Sequence, residues 1–268
     1  MSGSSSSVAL VVVGGGNMGA ALVGGLLSSG AVAASDLAIV EVLPARREQL
    51  TTMFPDVAVV SEVPSCSSAV IAVKPQHVSE AVASATARGA RRVLSIAAGV
   101  TLNTLETAAG AGVAVVRSMP NTPAMVGEGA SAIAVGAHAG EADVAWAEMI
   151  LGSVGLVVRV DESHLDAVTG LAGSGPAYIF LVAEALIQAG VDVGLPADTV
   201  DVLVRQLLVG SAALLAEGDD PAVLRARVTS PGGTTAAGVS VLETNEVRAA
   251  FVAAVRAATE RGRELGRQ

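Results

Sequence analysis

Short runs of β-branched residues alternate with segments of helical spacing through residues 8–160, and this alternation constrains the fold more than any other feature of the chain. Short apolar runs bounded by glycine, proline or polar clusters are typical of buried strands. The strand candidates are residues 8–13, 37–42, 57–60, 69–73, 92–95, 113–117, 131–135 and 156–160. Strands separated by helices form a doubly wound, mostly parallel sheet. The sequence therefore predicts an N-terminal Rossmann-type α/β domain over residues 1–160, in which residues 1–7 are a disordered leader.

The residues after Asp161 follow a different pattern, because they contain no further clear strand. Helices are predicted at residues 163–171, 177–189, 197–216, 221–228 and 246–265. Asp220 is predicted to cap the fourth of these, since the proline that follows it suits the first helical turn. Residues 178–189 and 200–215 are apolar on most faces, and a helical domain of this size cannot bury both segments. We therefore expect residues 161–268 to form an all-α domain that dimerises through these helices.

Charge and cysteine content exclude several classes of partner. The net charge is −9, which argues against binding to nucleic acid or to an anionic membrane surface. The single cysteine, Cys66, cannot form a disulfide within the chain, so a reducing compartment is expected. The three histidines are far apart, the apolar runs are much shorter than a membrane span, and the serine-rich leader carries no lysine or arginine. We expect a cytoplasmic protein without a metal site, a membrane segment or a nucleic-acid partner.

A glycine-rich turn directly follows the first predicted strand. Gly14, Gly16 and Gly19 fit the pattern G-x-G-x-x-G at the point where this strand ends and a helix begins. The first glycine permits the turn, the second lets a pyrophosphate approach the backbone, and the third lets the helix pack closely on the strand. A tight turn without a ligand explains this position less well. The sequence therefore predicts a dinucleotide site.

The residues that end the second strand give conflicting signals about the coenzyme. Glu41 lies at the strand end, where an acidic residue binds the ribose 2′-hydroxyl and favours NAD. Arg46 and Arg47 follow closely and can pair with a 2′-phosphate, which favours NADP. A solvated start of a helix explains both arginines equally well. The sequence alone leaves the coenzyme open.

Two further loops are predicted at the same edge of the sheet. Lys74, the only lysine of the chain, follows the fourth strand, and Pro75 begins the next helix. Lys74 either contacts the coenzyme or is an ordinary exposed side chain. Asn121 lies between two prolines. It either forms hydrogen bonds with a nicotinamide carboxamide or with a substrate, or it belongs to a rigid surface turn.

The loop at residues 228–238 is crowded with glycine, threonine and serine. A plain turn between helices needs only one glycine or proline. Backbone N–H groups and hydroxyls that converge in such a loop bind an anion, and an acidic protein must bind an anion in this local way. The sequence therefore predicts an anion-binding loop.

Six motifs together resemble those of pyrroline-5-carboxylate reductases. They are GGGNMG at 14–19, VKPQ at 73–76, SIAAGV at 95–100, RSMPNTPA at 117–124, DAVTGLAGSGPAY at 166–178 and VTSPGGTTAAG at 228–238. The last two are specific to the family, whereas the first is shared by many Rossmann proteins. The resemblance covers residues 8–265. It implies reduction of L-1-pyrroline-5-carboxylate to L-proline with NAD(P)H, the last step of proline biosynthesis. It also implies a homodimer with interlocked helical domains, and rings of dimers are common in the family.

The resemblance assigns roles to individual residues. The substrate carboxylate is expected at Ser230, Gly232, Gly233, Thr234 and Thr235, which makes residues 161–268 the substrate-binding domain as well. Thr169 is expected near the ring nitrogen of the substrate as the catalytic residue. The coenzyme, NADPH or alternatively NADH, is expected to contact Gly14, Gly16, Asn17, Met18, Gly19, Glu41, Arg46, Val73, Lys74, Pro75, Ala98, Gly99, Met119 and Asn121.

Three other functions are compatible with parts of this pattern. A β-hydroxyacid dehydrogenase also joins a Rossmann domain to a helical domain, but it uses a lysine in the helical half, and this chain has no lysine after Lys74. Another carboxylate-bearing imine reductase stays open. A non-catalytic dinucleotide-binding module also stays open, although the complete loop at residues 230–235 counts against it.

Overall fold

The structure, a computed structural model, describes residues 7–266, so the predicted leader lies outside the described residues except for Ser7. The strands are β1 (Val8–Val13), β2 (Leu37–Val40), β3 (Ala58–Val60), β4 (Cys66–Ile71), β5 (Arg92–Ser95), β6 (Ala114–Met119), β7 (Gly129–Val135) and β8 (Gly155–Arg159). They form one sheet in the order β3-β2-β1-β4-β5-β6-β7-β8. Each predicted strand has a counterpart in this sheet, and the predicted Rossmann-type α/β fold is confirmed.

Helices connect these strands and make up the rest of the chain. They are α1 (Asn17–Ser28), α2 (Pro44–Met53), α3 (Val78–Ala87), α4 (Leu102–Ala109), α5 (Glu141–Gly152), α6 (Leu165–Val168), α7 (Gly175–Asp192), α8 (Ala197–Ala216), α9 (Pro221–Arg227), α10 (Thr234–Thr244) and α11 (Val247–Leu265). Short 3-10 turns lie at Ala34–Asp36, Pro75–His77, Thr122–Val126 and Glu162–His164, and a π-helical turn lies at Thr169–Gly173.

The direction of the strands determines where a ligand can enter. Strands β1 to β6 are parallel to one another. Strand β7 is antiparallel to β6, and β8 pairs with β7 in parallel. In the sheet, β2 lies on one side of β1 and β4 lies on its other side, so the chain crosses over β1 after β3. Connections that leave in opposite directions open a crevice at the carboxyl ends of the two strands, which is where Rossmann proteins bind dinucleotides. Residues just after β1 therefore lie at the mouth of this crevice.

Side chains of β1 divide between two buried clusters. Val11 and Val13 pack with α3 and α4, and Leu10 and Val12 pack with α1 and α5. Because helices cover both faces of the sheet, its central strands are continuously apolar rather than alternating. Each buried side chain of this size contributes about 1.5–3 kcal/mol to stability.

One strand begins earlier than its sequence predicts. The prediction placed the fourth strand at residues 69–73, but β4 begins at Cys66 and ends at Ile71. The hydroxyls of Ser67 and Ser68 both donate to the carbonyl oxygen of Ala9, at 2.9 and 2.5 Å. These bonds to the neighbouring strand satisfy two polar side chains, so a serine pair does not interrupt the strand.

The chain divides into two compact units. The first contains the residues up to Ser174 together with those from Ala257, and the second is Gly175–Arg256. Residues just before Ser174 belong to the first unit because Leu165 is buried in the cluster on the α3 and α4 side of the sheet. The predicted domain boundary after residue 160 differs from the division of these units after Ser174, and it stays a prediction.

The second unit is helical, as expected. Helix α8 has the predicted bounds, and Asp220 caps α9 by accepting a hydrogen bond from the Ala222 N–H at 2.7 Å, as predicted. Helix α10 was missed, because it begins with Thr234 and Thr235 directly after Gly232 and Gly233, and threonine and glycine favour loops.

Large apolar side chains are exposed along the helices of the second unit. They include Ile179, Phe180, Leu181, Leu203, Leu207, Val209, Leu214 and Leu215. Two helical stretches, Glu162–Asp192 and Ala197–Ala216, are long and apolar enough to cross a membrane. The prediction that all apolar segments are too short was therefore wrong, because a span tolerates a few polar residues and need not be an unbroken apolar run. Only length and composition support a span here, and apolar helices that pack against another chain share both properties.

Candidate active site

The turn after β1 has the geometry that its three glycines require. Gly14 has a φ of +112°, and an added Cβ there would overlap the carbonyl group of Ala72. Gly19 lies so close to the Gly14 carbonyl oxygen that a Cβ would overlap it as well. Gly16 differs from both, because nothing lies within 4 Å of the place where its Cβ would be. The fold needs the first and third glycines, whereas the second keeps a space open at the start of α1.

The start of α1 is suited to a phosphate. The helix begins at Asn17, and its N-cap, Gly16, has no side chain that can accept a hydrogen bond from the first N–H groups. A cleft of about 440 Å³ lies beside the ends of β1, β2 and β4 and is lined by Val13, Val40 and Val73 among other residues. Free N–H groups at a helix start bind a pyrophosphate without a basic side chain, and the open space at Gly16 leaves room for it. The turn therefore fits a dinucleotide.

Charged side chains gather around Gly15 in the middle of this turn. The Glu41 carboxylate accepts hydrogen bonds from the Gly15 N–H at 3.2 Å and from the Leu43 N–H at 2.9 Å. Arg46 Nε donates to the Gly15 carbonyl oxygen at 2.8 Å, and Arg47 Nη1 donates to the Glu41 carbonyl oxygen at 2.9 Å. Within residues 7–266 neither guanidinium forms an ion pair with a carboxylate. A carboxylate that favours NAD and guanidinium groups that favour NADP thus both lie at the turn.

The remaining predicted coenzyme residues follow other strands. Asn17, Lys74, Pro75 and Ala98 are exposed, whereas Met18 and Val73 pack partly against the core. Gly99 has a φ of +76°, and Gly266 at the end of α11 approaches it, with the Gly266 nitrogen 3.6 Å from the place of a Cβ. The carboxyl ends of parallel strands meet at one edge of a sheet, so all of these residues lie at the edge that carries the glycine turn.

Met119 and Asn121, at the end of β6, lie against the π-helical turn that contains Thr169. Asn121 Nδ2 donates to the Ala172 carbonyl oxygen at 3.1 Å, and its Oδ1 accepts from the Ala130 N–H at 2.8 Å. Met119 Cε lies 2.7 Å from the place where a Cβ of Gly173 would be. The structure thus brings the predicted catalytic residue together with two predicted coenzyme residues.

The hydroxyl of Thr169 has a defined direction. Its oxygen donates to the carbonyl oxygen of Leu165 at 2.8 Å. A hydroxyl has one proton, so the lone pairs of Thr169 Oγ1 remain for another donor. Towards a ligand, Thr169 can therefore accept a hydrogen bond.

A partly buried ion pair next to this segment was missed. Arg117, in the middle of β6, has a side chain that is only 8% exposed, and its Nη1 lies 2.8 Å from Glu162 Oε1. The same Glu162 oxygen accepts from the Leu102 N–H at 2.6 Å, and Asp166 lies 3.9 Å from Arg117 Nη2. These bonds join β6, the start of α4 and the segment that leads to Thr169. An arginine within an otherwise apolar strand was the available sequence signal.

The predicted anion-binding loop lies in the second unit. Gly232 has a φ of +68°, and the Gly233 N–H donates to the Ser230 carbonyl oxygen at 3.0 Å, which closes a tight turn. Helix α10 begins directly after it, with Gly233 as an N-cap that makes no side-chain hydrogen bond. Thr234 and Thr235 form its first turn and are exposed. The loop therefore presents unpaired helix N–H groups and two hydroxyls to an anion.

Comparisons with known proteins match both halves of the chain. A protein-family model described as pyrroline-5-carboxylate reductase dimerisation matches residues 162–265, and one described as NADP oxidoreductase, coenzyme F420-dependent, matches residues 9–99. A pyrroline-5-carboxylate reductase of Synechocystis sp. is 42% identical over 273 residues, which cover 98% of this chain and 100% of that one.

Solved structures agree with these matches. The pyrroline-5-carboxylate reductase of Coxiella burnetii superposes with a TM-score of 0.89 at 32% identity, over 96% of this chain and 98% of that one. The Plasmodium falciparum enzyme, which has NADP bound, superposes with a TM-score of 0.84 at 29% identity, over 97% and 98% of the two chains. Because relatives of this identity match along the whole chain, this protein belongs to the pyrroline-5-carboxylate reductase family.

Proposed function

We propose that this protein reduces L-1-pyrroline-5-carboxylate to L-proline with NADPH, NADH being the alternative coenzyme, as the last step of proline biosynthesis. The observation that carries the proposal is the intact loop of residues 230–235 at the start of α10, in a chain that belongs to this family. A carboxylate-binding loop would serve no purpose in a module that binds only a dinucleotide.

The coenzyme would be held by the residues at the carboxyl edge of the sheet. The open space at Gly16 and the free N–H groups at the start of α1 suit its pyrophosphate. Arg46, which bonds to the Gly15 carbonyl in the turn, is proposed to pair with a 2′-phosphate. Ala98, Gly99, Met119 and Lys74 are proposed to contact the rest of the molecule. When bound, the reduced coenzyme supplies a hydride to the carbon of the C=N bond.

Thr169 is proposed to stabilise the protonated form of the substrate. Its hydroxyl proton is donated to Leu165, so its oxygen accepts from the N–H of a protonated C=N group. The protonated iminium accepts hydride more readily than the neutral imine, because its π electrons pass to a cationic nitrogen as the new C–H bond forms. No strong general base is needed, and most of the catalysis is the positioning of two reactants away from water.

The substrate carboxylate is proposed to lie at the start of α10, where Thr235 is expected to donate its hydroxyl proton. Replacing Thr235 by alanine should raise KM for pyrroline-5-carboxylate about tenfold, because one hydrogen bond to a charged group is lost while the backbone N–H groups remain. Steady-state kinetics at saturating NADPH measures this change. Thr244→Ala, at the exposed other end of α10, is the matched control. Unchanged kinetics in Thr235→Ala would contradict the carboxylate assignment.

Glu41 is expected to oppose NADPH and to favour NADH. Replacing Glu41 by serine should raise the ratio of kcat/KM for NADPH to that for NADH about tenfold, since a carboxylate near a 2′-phosphate costs roughly 1–4 kcal/mol. The change removes one negative charge beside Arg46 and Arg47. Initial rates with each coenzyme give the ratio, and Glu48→Ser, exposed on α2, is the control. An unchanged ratio would place Glu41 away from the ribose.

The protein self-associates through its helical part, which the dimerisation model matches. The exposed apolar side chains of α7 and α8 are the surface that such an interface would cover. We propose that residues 161–268 form the dimerisation and substrate-binding domain, that the dimer is interlocked, and that dimers assemble further into rings in the cytoplasm. Sedimentation or light scattering measures the size of the assembly.

One assay tests the function directly. Oxidation of NADPH, and separately of NADH, is followed by absorbance with purified protein and L-1-pyrroline-5-carboxylate. Rapid oxidation that requires this substrate is the expected result. If folded protein binds the coenzyme but oxidises neither form, the activity belongs to another carboxylate-bearing imine or is absent, and the proposal is wrong.

A further inference from the structure

The turn that carries Thr169 is a π-helical turn rather than an α-helical one. The Ser174 N–H donates to the Thr169 carbonyl oxygen at 2.8 Å, so this bond spans five residues instead of four. π-Helical turns are rare and occur mostly at functional sites. Such a conformation persists only where the surrounding structure holds it. Some other part of the chain must therefore support this turn.

Asn121 provides that support from the end of β6. Its amide donates to the Ala172 carbonyl oxygen, within the turn, and accepts from the Ala130 N–H, at the second residue of β7. The two partners differ in kind, since one is an acceptor and the other a donor. Of the side chains of this length, only an amide can donate at one end and accept at the other. The bonds therefore depend on asparagine itself.

The Ala172 carbonyl has a particular need for this donor. In an α-helix it would accept from the N–H of the residue four positions later. That residue is Pro176, and proline has no N–H. A half-buried carbonyl without a donor costs about 1–3 kcal/mol, which the Asn121 amide offsets.

We propose that Asn121 is a positioning residue that keeps the π-helical turn in place and thereby holds Thr169, the first residue of that turn, in its position. The inference rests on the proposed function in one respect, namely that Thr169 contacts the substrate. It differs from the prediction that Asn121 contacts the coenzyme, because it assigns the residue's effect to the chemical step instead of to coenzyme binding.

Replacing Asn121 by leucine separates the two roles. Positioning predicts that kcat falls roughly 10- to 100-fold, as small misplacements of a catalytic group do, while the dissociation constant of NADPH is unchanged. Asn121→Asp has the shape of the amide and keeps the acceptor but loses the donor, so it should show the same pattern. Asn103→Leu and Asn103→Asp, at an exposed position of α4, are matched controls. Weaker NADPH binding with an unchanged kcat would overturn the proposal.

A double-mutant cycle tests whether Asn121 acts through Thr169. In the Thr169→Val background, Asn121→Leu should lower kcat little further, because the group that it positions is already absent. If the two losses multiply, Asn121 acts on something else and the proposal is wrong.

Hydrogen exchange tests the support without any substrate. In the coenzyme-free protein, the amides of residues 170–174 should exchange faster in Asn121→Leu than in the wild type, while those of β5 should not change. Unchanged exchange at residues 170–174 would overturn the proposal. Because this measurement needs no turnover, it gives an answer even if the wild-type protein does not reduce pyrroline-5-carboxylate, a result that would refute only the proposed function.

Discussion

Replacing Gly16 by alanine is expected to weaken NADPH binding about 100-fold, or roughly 2.8 kcal/mol, and to leave the stability of the protein unchanged. The space around Gly16 is open and its φ of −64° suits any residue, so a methyl group costs the fold nothing. That methyl group would stand where the pyrophosphate has to approach the backbone. Enhancement of NADPH fluorescence measures the dissociation constant, and thermal unfolding measures stability.

Two other glycines of the same helix make this test specific. Gly24→Ala places a Cβ 3.9 Å from Phe54, an ordinary contact, so neither binding nor stability should fall. Gly19→Ala forces a Cβ onto the Gly14 carbonyl, and it should lower the unfolding temperature as well as the affinity. A wild-type dissociation constant in Gly16→Ala would show that the coenzyme does not approach the backbone at this turn.

Replacing Thr169 by valine should lower kcat/KM for pyrroline-5-carboxylate about 10- to 150-fold, since one hydrogen bond to a charged group contributes roughly 1.5–3 kcal/mol. Valine has the shape of threonine but no oxygen to accept from the iminium N–H. The bond from Thr169 to the Leu165 carbonyl is lost as well, which costs the fold about 1 kcal/mol. NADPH binding should be unchanged, because the coenzyme does not depend on this hydroxyl.

Thr169→Ser is the control that restores the oxygen. Its hydroxyl can still donate to Leu165 and accept from the substrate, so it should recover most of the activity that valine loses. Steady-state kinetics of both variants, with thermal unfolding as the check on folding, gives the comparison. Equal activity of the valine variant and the wild type would remove Thr169 from the chemical step.

The predictions from sequence succeeded where local physics decides the structure. The alternation of apolar runs and helical segments predicted the sheet, and the spacing of three glycines predicted a turn that the fold needs at Gly14 and Gly19. Asp220 before proline predicted a helix start. Predictions were weaker where polar residues have distant partners. Ser67 and Ser68 extend β4 because they bond to the neighbouring strand, which their own sequence context does not reveal.

The sequence by itself determined the order of the strands and of the helices between them, and the residues gathered at one edge of the sheet, because periodicity and turn chemistry depend on neighbours along the chain. Only the tertiary structure decided which partners those residues bond to there. Asn121 donates to the carbonyl of Ala172, 51 residues later in the chain, and Arg117 donates to the carboxylate of Glu162, 45 residues later. Such bonds exist only after β6 and the segment of Thr169 have packed together, since each partner is positioned by a different element. The π-helical turn accepts one of these distant bonds at Ala172, whereas the Thr169 hydroxyl bonds locally, to the Leu165 carbonyl four residues earlier.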